Sequence, residues 1–383
     1  MNSRLRRACV IPLTTAMLAA GLFVAGPARA DDPSPTFTKR TTTRTPTAQL
    51  PRSTATSGAG SSAAAPVVRL FGPNRIQTAL DASSFAWDDA GTEGGNVAMS
   101  VVLTRSDAFA DALGGAALAG AAQGPLLMTP PTSLHADVRA EIRRVLGGQG
   151  DVYLLGGIGA ISSATEATLK RDGYRVVRVA GSDRYATSVK IAEQVSASIP
   201  PDGEPQFVMV TTGQDFPDGL AAGATAGGFQ ATVVLTKGST VPGVVSSYLY
   251  WRRKAGVPLL AVGGPTAAAS YRWDGEFAGR DRYETAAILA EAFWGAETGN
   301  SPVAIGLSTG LNWPDALAGG AFMAGLGPLL LARTDSLPVA TSDVTTSLVH
   351  RTDPSSIEAG FVFGGESVVG PAPVSRFASI LGN

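Results

Sequence analysis

Three arginines, three threonines and three aspartates recur in register along a chain of 383 residues. Arg75, Arg184 and Arg282 each stand in the pattern G-x-[DN]-R-x-x-T, written GPNRIQT, GSDRYAT and GRDRYET, so that Thr78, Thr187 and Thr285 follow at a constant offset. Asp111, Asp218 and Asp315 come 36, 34 and 33 residues after those arginines, in SDAFADALGG, GQDFPDGLAA and GLNWPDALAG. A guanidinium offers a planar fork of donors that matches a carboxylate or a phosphate. A carboxylate opening a helix is favoured by the helix dipole. Two chemistries follow: each arginine meets an aspartate or a helix end and joins one part of the chain to the next, or each meets an anion from outside. The residues alone leave both open.

Other chemistries lack their residues. The two histidines, His135 and His350, stand alone, and the one cysteine, Cys9, lies in the N-terminal apolar segment, which argues against zinc chemistry and Ser-His catalysis. There is no G-x-x-x-x-G-K-[ST] phosphate loop and no D-x-D pair for magnesium, and GGIGAIS at Gly156 fails the dinucleotide spacing. No catalytic residue, metal ligand or cofactor is therefore expected. Because the same polar residues return three times, a single asymmetric catalytic constellation is hard to assemble, and repetition argues for binding. The competing reading is an exported hydrolase or transferase with Asp218 and Asp315 as its acids.

The elements that must position these residues also come in threes. A third signature closes each copy, where apolar runs lead into Gly156-Gly157, Gly263-Gly264 and Gly364-Gly365. Within the first copy, VAMSVVLT, PLLMT and VYLLGG are continuous apolar runs of strand length, as parallel strands buried on both faces require. Strand alternating with helix implies an open, doubly wound α/β sheet with right-handed crossovers, built three times. The motif asparagine or aspartates, Asn74, Asp183 and Asp281, suit helix N-caps. Several internal glycines in helices such as ALGGAALAGAAQG each cost about 1 kcal/mol relative to alanine, so another backbone or a flat ligand is expected close by. The second copy has about fifteen residues between Gly264 and Gly279, which predicts a short or missing last helix.

The N-terminus begins with Arg4, Arg6 and Arg7, continues through an apolar run and ends on Ala28-Arg29-Ala30, the order of a cleaved secretory signal peptide over 1–30. Residues 31–66 are rich in Thr, Ser, Pro and Ala, a composition too poor in large apolar side chains to offset ordering entropy, and are expected to form a disordered spacer. The remaining residues, 67–383, hold 22 basic and 29 acidic side chains. That balance argues against nucleic acid as a partner, and no stable membrane insertion is expected once the signal segment is removed. The expected organisation is 67–173 for the first repeat, 174–274 for the second and 275–383 for the third.

With these three ordered signatures in three copies, the sequence resembles the cell wall binding repeat type 2 family over about Val68 to Asn383. The resemblance implies Toprim-like units docked as a pseudo-threefold triangle. It implies a secreted, wall-associated protein that holds an anionic wall polymer non-covalently, either teichoic-acid-like or a secondary polysaccharide. It also implies a polymer-binding role for the proline-leucine motif, matched here by Pro125, Leu126 and Leu127 and by Pro328, Leu329 and Leu330, while the second copy reads Thr232-Val233-Val234-Leu235. The competing hydrolase or transferase would then act on wall components. A monomer with internal symmetry is expected, because head-to-tail units can close on themselves.

Overall fold

The computed structural model describes residues 65–199, 203–351 and 357–382. The expected signal segment and nearly all of the expected spacer lie outside these residues. The first apolar runs form strands β1 (Val67–Leu70), β2 (Ser100–Arg105), β3 (Leu126–Thr129), β4 (Asp151–Leu155) and β5 (Arg175–Val179). Between them lie helices α1 (Arg75–Ala86), α2 (Gly115–Ala121), α3 (Ala136–Leu146) and α4 (Ser163–Arg171). The pattern repeats with α5 (Arg184–Ala197), β6 (Val208–Thr212), α6 (Pro217–Gly228), β7 (Thr232–Thr236), α7 (Gly243–Lys254), β8 (Leu259–Val262), α8 (Gly264–Ala267) and β9 (Gly275–Phe277). The last copy comprises α9 (Arg282–Trp294), β10 (Ala304–Thr309), α10 (Pro314–Met323), β11 (Leu329–Ala332), α11 (Val339–Arg351), β12 (Ala359–Phe363) and α12 (Pro371–Leu381).

Three four-stranded sheets result, all parallel, with orders β3-β2-β4-β5, β7-β6-β8-β9 and β1-β12-β10-β11. The sheets straddle the sequence repeats. β5 precedes the second arginine motif yet pairs with β4, Tyr153 opposite Val177, and β9 precedes the third motif yet pairs with β8. β1, which precedes the first motif, crosses to the last sheet and pairs with β12, Val67 opposite Gly360 and Leu70 opposite Phe363. Arg69 reinforces that junction by donating to the carbonyls of Gly364, at 2.6 Å, and Val369, at 2.9 Å.

The glycine-rich helices α2, α6 and α10 pack on one another in pairs. A Cβ built at Gly120 would lie 2.6 Å from the Gly227 carbonyl oxygen, and one at Gly223 would lie 2.9 Å from that of Leu113. Another backbone, rather than a flat ligand, is what those glycines admit. Helices α1, α5 and α9 lie against the edge strands β3, β7 and β11 of the sheet that follows each. Covering an edge in this way removes a template for unwanted pairing, and the Ser188 hydroxyl on α5 accepts from the Leu235 amide of β7. One hydrophobic cluster runs from Leu70 to Leu381 through all three sheets, and a smaller one lies under α7. The expected shortening of the second copy is present: α8 has four residues where α4 has nine and α12 eleven. Tyr271 and Trp273 pack against the smaller cluster, their rings 4.8 Å apart.

Candidate functional site

Each G-x-[DN]-R-x-x-T motif is a strand-to-helix corner in which every named residue has a local task. The glycine amide donates to the threonine hydroxyl at 3.1 Å in all three copies: Gly72 to Thr78, Gly181 to Thr187 and Gly279 to Thr285. That bond holds the strand end against the second turn of the helix, so close that a Cβ on the glycine would overlap the chain of Gln77, Ala186 or Glu284. Asn74, Asp183 and Asp281 cap their helices, each accepting from two amides of the first turn. The arginines donate Nη1 to carbonyls at the ends of the next central strands: Arg75 to Ser106 at 2.7 Å, Arg184 to Gly213 at 2.7 Å and Arg282 to Gly310 at 2.6 Å.

Arg282 and Arg75 also face the preceding copy. The Arg282 guanidinium lies over the Phe216 ring at 5.8 Å and pairs with Asp215 at 3.6 Å. Arg75, at the start of the chain, lies over Trp313 at 5.3 Å, so the last copy meets the first. Asp218 and Asp315 fall in the same seams. Burial pushes the Asp218 carboxyl up from its ordinary value, with the neighbouring charge of Asp215 adding to the rise, while Arg282 and the Thr285 hydroxyl pull it back. Burial likewise pushes Asp315 up, opposed by the Thr78 hydroxyl and by Arg75. Each of these carboxylates rests against a glycine with positive φ at the end of a third strand, Gly263 at +86° and Gly364 at +106°. Asp111 rests against Gly156 in the equivalent place.

One expectation is corrected here. Asp111 does not open a helix: α2 begins four residues later, at Gly115, whereas α6 and α10 begin at Pro217 and Pro314, each with its aspartate as the second residue. A proline at the first helical position has its φ already set for the helix. Ala110 stands where the other copies have that proline, and residues around Asp111 form turns instead.

The proline-leucine residues lie in the interior. Leu126, Leu127, Leu329 and Leu330 are core side chains of β3 and β11. Pro125 and Pro328 enter those strands and accept from Val102 and Gly306, each at 2.9 Å. Their side chains are buried, Pro125 and Leu126 lining a cavity of about 80 Å³ between α1 and α10.

A groove that the sequence did not single out opens beside the start of α9. It has a volume of about 290 Å³ and is lined by Arg280, Asp281, Tyr283, Glu284, Arg333 and Val339. The Arg333 guanidinium lies over the Tyr283 ring at 5.1 Å, and Arg280 is paired with Glu284. That pair holds the Glu284 carboxyl below the usual carboxylate range. The signal was present in retrospect, as a cation directly after the edge strand: Arg333 in LLLAR and Lys237 in TVVLTK, against Pro130 in the first copy. Among the described residues no group of His, Cys, Asp or Glu has the geometry of a metal site, and no helix is long and apolar enough to cross a membrane.

The sequence profile of Cell wall binding domain 2 (CWB2) matches residues 69–166, 178–271 and 276–373. The chain belongs to this family. It is a cell wall binding module built of tandem repeats, on a wall-associated surface protein. The CWB2 chain is similar to two solved proteins from Clostridium difficile. Cwp8 superimposes with a TM-score of 0.68 at 24% identity and Cwp6 with 0.69 at 20%, covering 82% and 87% of this chain and 51% of each of those chains. It is also 25% identical over 259 residues to N-acetylmuramoyl-L-alanine amidase LytC of Bacillus subtilis (strain 168), a match over 66% of this chain and 47% of the amidase. To the Amidase enhancer of the same organism it is 30% identical over 174 residues, 45% of this chain and 22% of that protein. The CWB2 chain thus spans less than half the length of the curated relatives it matches.

Proposed function

We propose that this CWB2 chain is a non-covalent anchor whose three homologous units hold an anionic wall polymer, teichoic-acid-like or a secondary polysaccharide, and that it transforms nothing. The groove beside α9 carries the reading. Two exposed guanidiniums, Arg333 and Arg280, border the concavity and suit a sugar bearing phosphate or carboxylate, because charge-assisted hydrogen bonds fix the anion. Lys237 supplies the corresponding charge in the second unit. Weak sites linked in one body gain avidity of about 100- to 10,000-fold on a repetitive polymer. Arg75, Arg184, Arg282, Thr78, Thr187, Thr285, Asp111, Asp218 and Asp315 then serve as seam residues, and Pro125, Leu126, Leu127, Pro328, Leu329 and Leu330 as sheet interior.

The finer architecture belongs to the same proposal: Toprim-like units about a pseudo-threefold axis, encoded by sequence repeats at 67–173, 174–274 and 275–383 whose opening strands β1, β5 and β9 pair in the sheet of the neighbouring repeat, in a monomer exported by a cleaved signal segment. Mutual packing of α2, α6 and α10 and the return of β1 to the last sheet support it. The competing hydrolase or transferase draws support from the amidase similarity, but Asp218 and Asp315 each face a threonine and an arginine of another copy, the partners of a contact that joins units.

Retention on purified sacculi tests the proposal. Walls stripped of anionic polymer with acid should release the protein, and Arg333→Gln should weaken retention about five- to tenfold, the loss expected when one charge-assisted contact is removed. Asp218→Asn should leave retention unchanged. Undiminished retention on stripped walls refutes the polymer assignment, and wall hydrolysis lost in Asp218→Asn favours the enzyme.

A further inference from the structure

We infer that α7 of the second unit carries a separate glycan platform, on which the exposed rings of Tyr250 and Trp251 stack against saccharide and Lys254 meets its anionic groups. The inference rests on the wall-binding reading but uses a surface distinct from the groove beside α9. Helix α7 reads GVVSSYLYWRRK and buries Val245, Tyr248 and Leu249 in the smaller hydrophobic cluster. That anchoring turns the remaining rings outward, so Tyr250 is 52% exposed and Trp251 64%, in edge-to-face contact at 5.3 Å between centroids. Two large apolar rings side by side in water mark a contact surface rather than scattered surface hydrophobicity.

The charges around the rings select the occupant. Arg252 is committed to Glu204 at 2.6 Å and lies over the Tyr248 ring. Arg253 donates to the Arg272 carbonyl and reaches Asp274. Lys254 lies 5.7 Å from the Tyr250 ring centroid and pairs with no carboxylate among the described residues. In residues 67–383, where acids outnumber bases, a cation without a carboxylate partner beside exposed aromatic rings is an attraction for anions that the average surface lacks. A pyranose ring has a flat apolar face for an indole and a rim of polar groups for an ammonium. The two chemistries therefore point to one ligand class, an anionic polysaccharide.

The other units lack this surface. In α3, Arg139 pairs with Asp172 at 2.5 Å and Arg144 with Glu141 at 2.7 Å, Arg143 lies beside Tyr174, and the helix itself has no aromatic residue. Helix α11, VATSDVTTSLVHR, has no Tyr, Trp or Phe. The platform belongs to the unit whose α8 is short.

The test is equilibrium binding of the full chain to purified anionic wall polysaccharide and, in parallel, to vesicles of anionic phospholipid. The Trp251 signal is isolated as the fluorescence difference between wild type and Trp251→Phe. The polysaccharide should change that difference signal, and Tyr250→Ala combined with Trp251→Ala should weaken binding about five- to tenfold with Tm unchanged. Lys254→Gln should weaken binding less, with a shallower salt dependence. If the double variant binds polysaccharide as wild type does while Arg333→Gln binds it weakly, the wall-binding reading stands and the platform is refuted. If only vesicles change the Trp251 signal, the surface is a membrane contact and the inference is overturned. If wild type does not bind the polysaccharide at all, both readings fall.

Discussion

The sheet β1-β12-β10-β11 and its counterpart β7-β6-β8-β9 have the same four-stranded parallel order but are closed by different means. In the second unit the outer strand β9 follows β8 after a short stretch of chain, and Gly263 donates to the Phe277 carbonyl at 2.9 Å. In the third unit the outer strand is β1, from the other end of the described chain, and Gly364 donates to the Leu70 carbonyl at the same 2.9 Å. The seams match as well: Asp218 faces Arg282 and Thr285, and Asp315 faces Arg75 and Thr78. The geometry is shared, while the length of chain closed differs greatly. Loop-closure entropy grows only slowly with length, so a long-range closure costs little more in stability than a local one, though it is slower to form. One parallel strand can thus serve as a clasp joining the first stretch of described chain to the last sheet.

The strongest way to break the comparison is to remove the clasp. A chain beginning at Phe71 loses the β1–β12 ladder, the Arg69 bonds and the buried Leu70, and should be destabilised by more than about 3 kcal/mol, since each lost hydrogen bond counts for about 1 kcal/mol and a buried leucine for more. Denaturant unfolding should then split, the last unit melting before the others; a single transition at the wild-type midpoint would show that β1 closes nothing.

Next are the seam glycines. Gly263→Ala would force a side chain into backbone at φ +86° and ψ 150° and drive its Cβ into the Asp218 carboxylate, at a cost of about 3 kcal/mol. Gly364→Ala should cost somewhat less, because its Cβ would lie 2.8 Å from Asp315 Oδ2 and 2.6 Å from a Val368 methyl that can shift. Equal losses in thermal unfolding would mean the carboxylate contact contributes nothing.

Smaller again are the caps. Asn74→Ala and Asp183→Ala each remove a side chain that accepts from two helix-start amides and should each cost about 1 kcal/mol. Asn74 stands at the clasped seam and Asp183 at a contiguous one, so a larger loss at Asn74 would show that the clasp depends on its neighbouring helix.

The smallest effect sharpens the match between the two carboxylates. Burial raises both, so each binds its proton more tightly folded than unfolded, and its contribution to stability falls as pH rises from the ordinary Asp value through the raised one. Asp218→Asn and Asp315→Asn should flatten that fall and leave stability at pH 7 within about 1 kcal/mol of wild type or slightly above it. A steeper fall in either variant would mean the ionised form is the one the seam stabilises.

Much of this was legible from residue types. The triplication, the alternation of strand and helix, the caps at Asn74, Asp183 and Asp281 and the short α8 all depend on local spacing and apolar periodicity. The late start of α2 had its sign in Ala110 replacing a proline, yet spacing from Asp111 alone suggested a helix there. The groove at Tyr283 and Arg333 was harder to see, since its residues lie fifty positions apart and only the packing of α9 on β11 brings them together. The platform on α7 had a visible signal in YLYWRRK, but nothing in that string says which rings turn inward.

Residue types and their spacing specify the unit: a corner in which a glycine amide, a helix cap and a threonine hydroxyl meet within a few residues, a buried parallel strand and a helix slim enough for another backbone. The partner of each unit, by contrast, is set by packing across the whole chain. Asp218 meets an arginine 64 residues ahead and Asp315 one 240 residues behind, and no spacing rule relates the two. The helix caps and the glycine-threonine bonds are local to a corner. The pairing of corners is set instead by where helices α2, α6 and α10 can bury their faces together, a property of the whole packed chain.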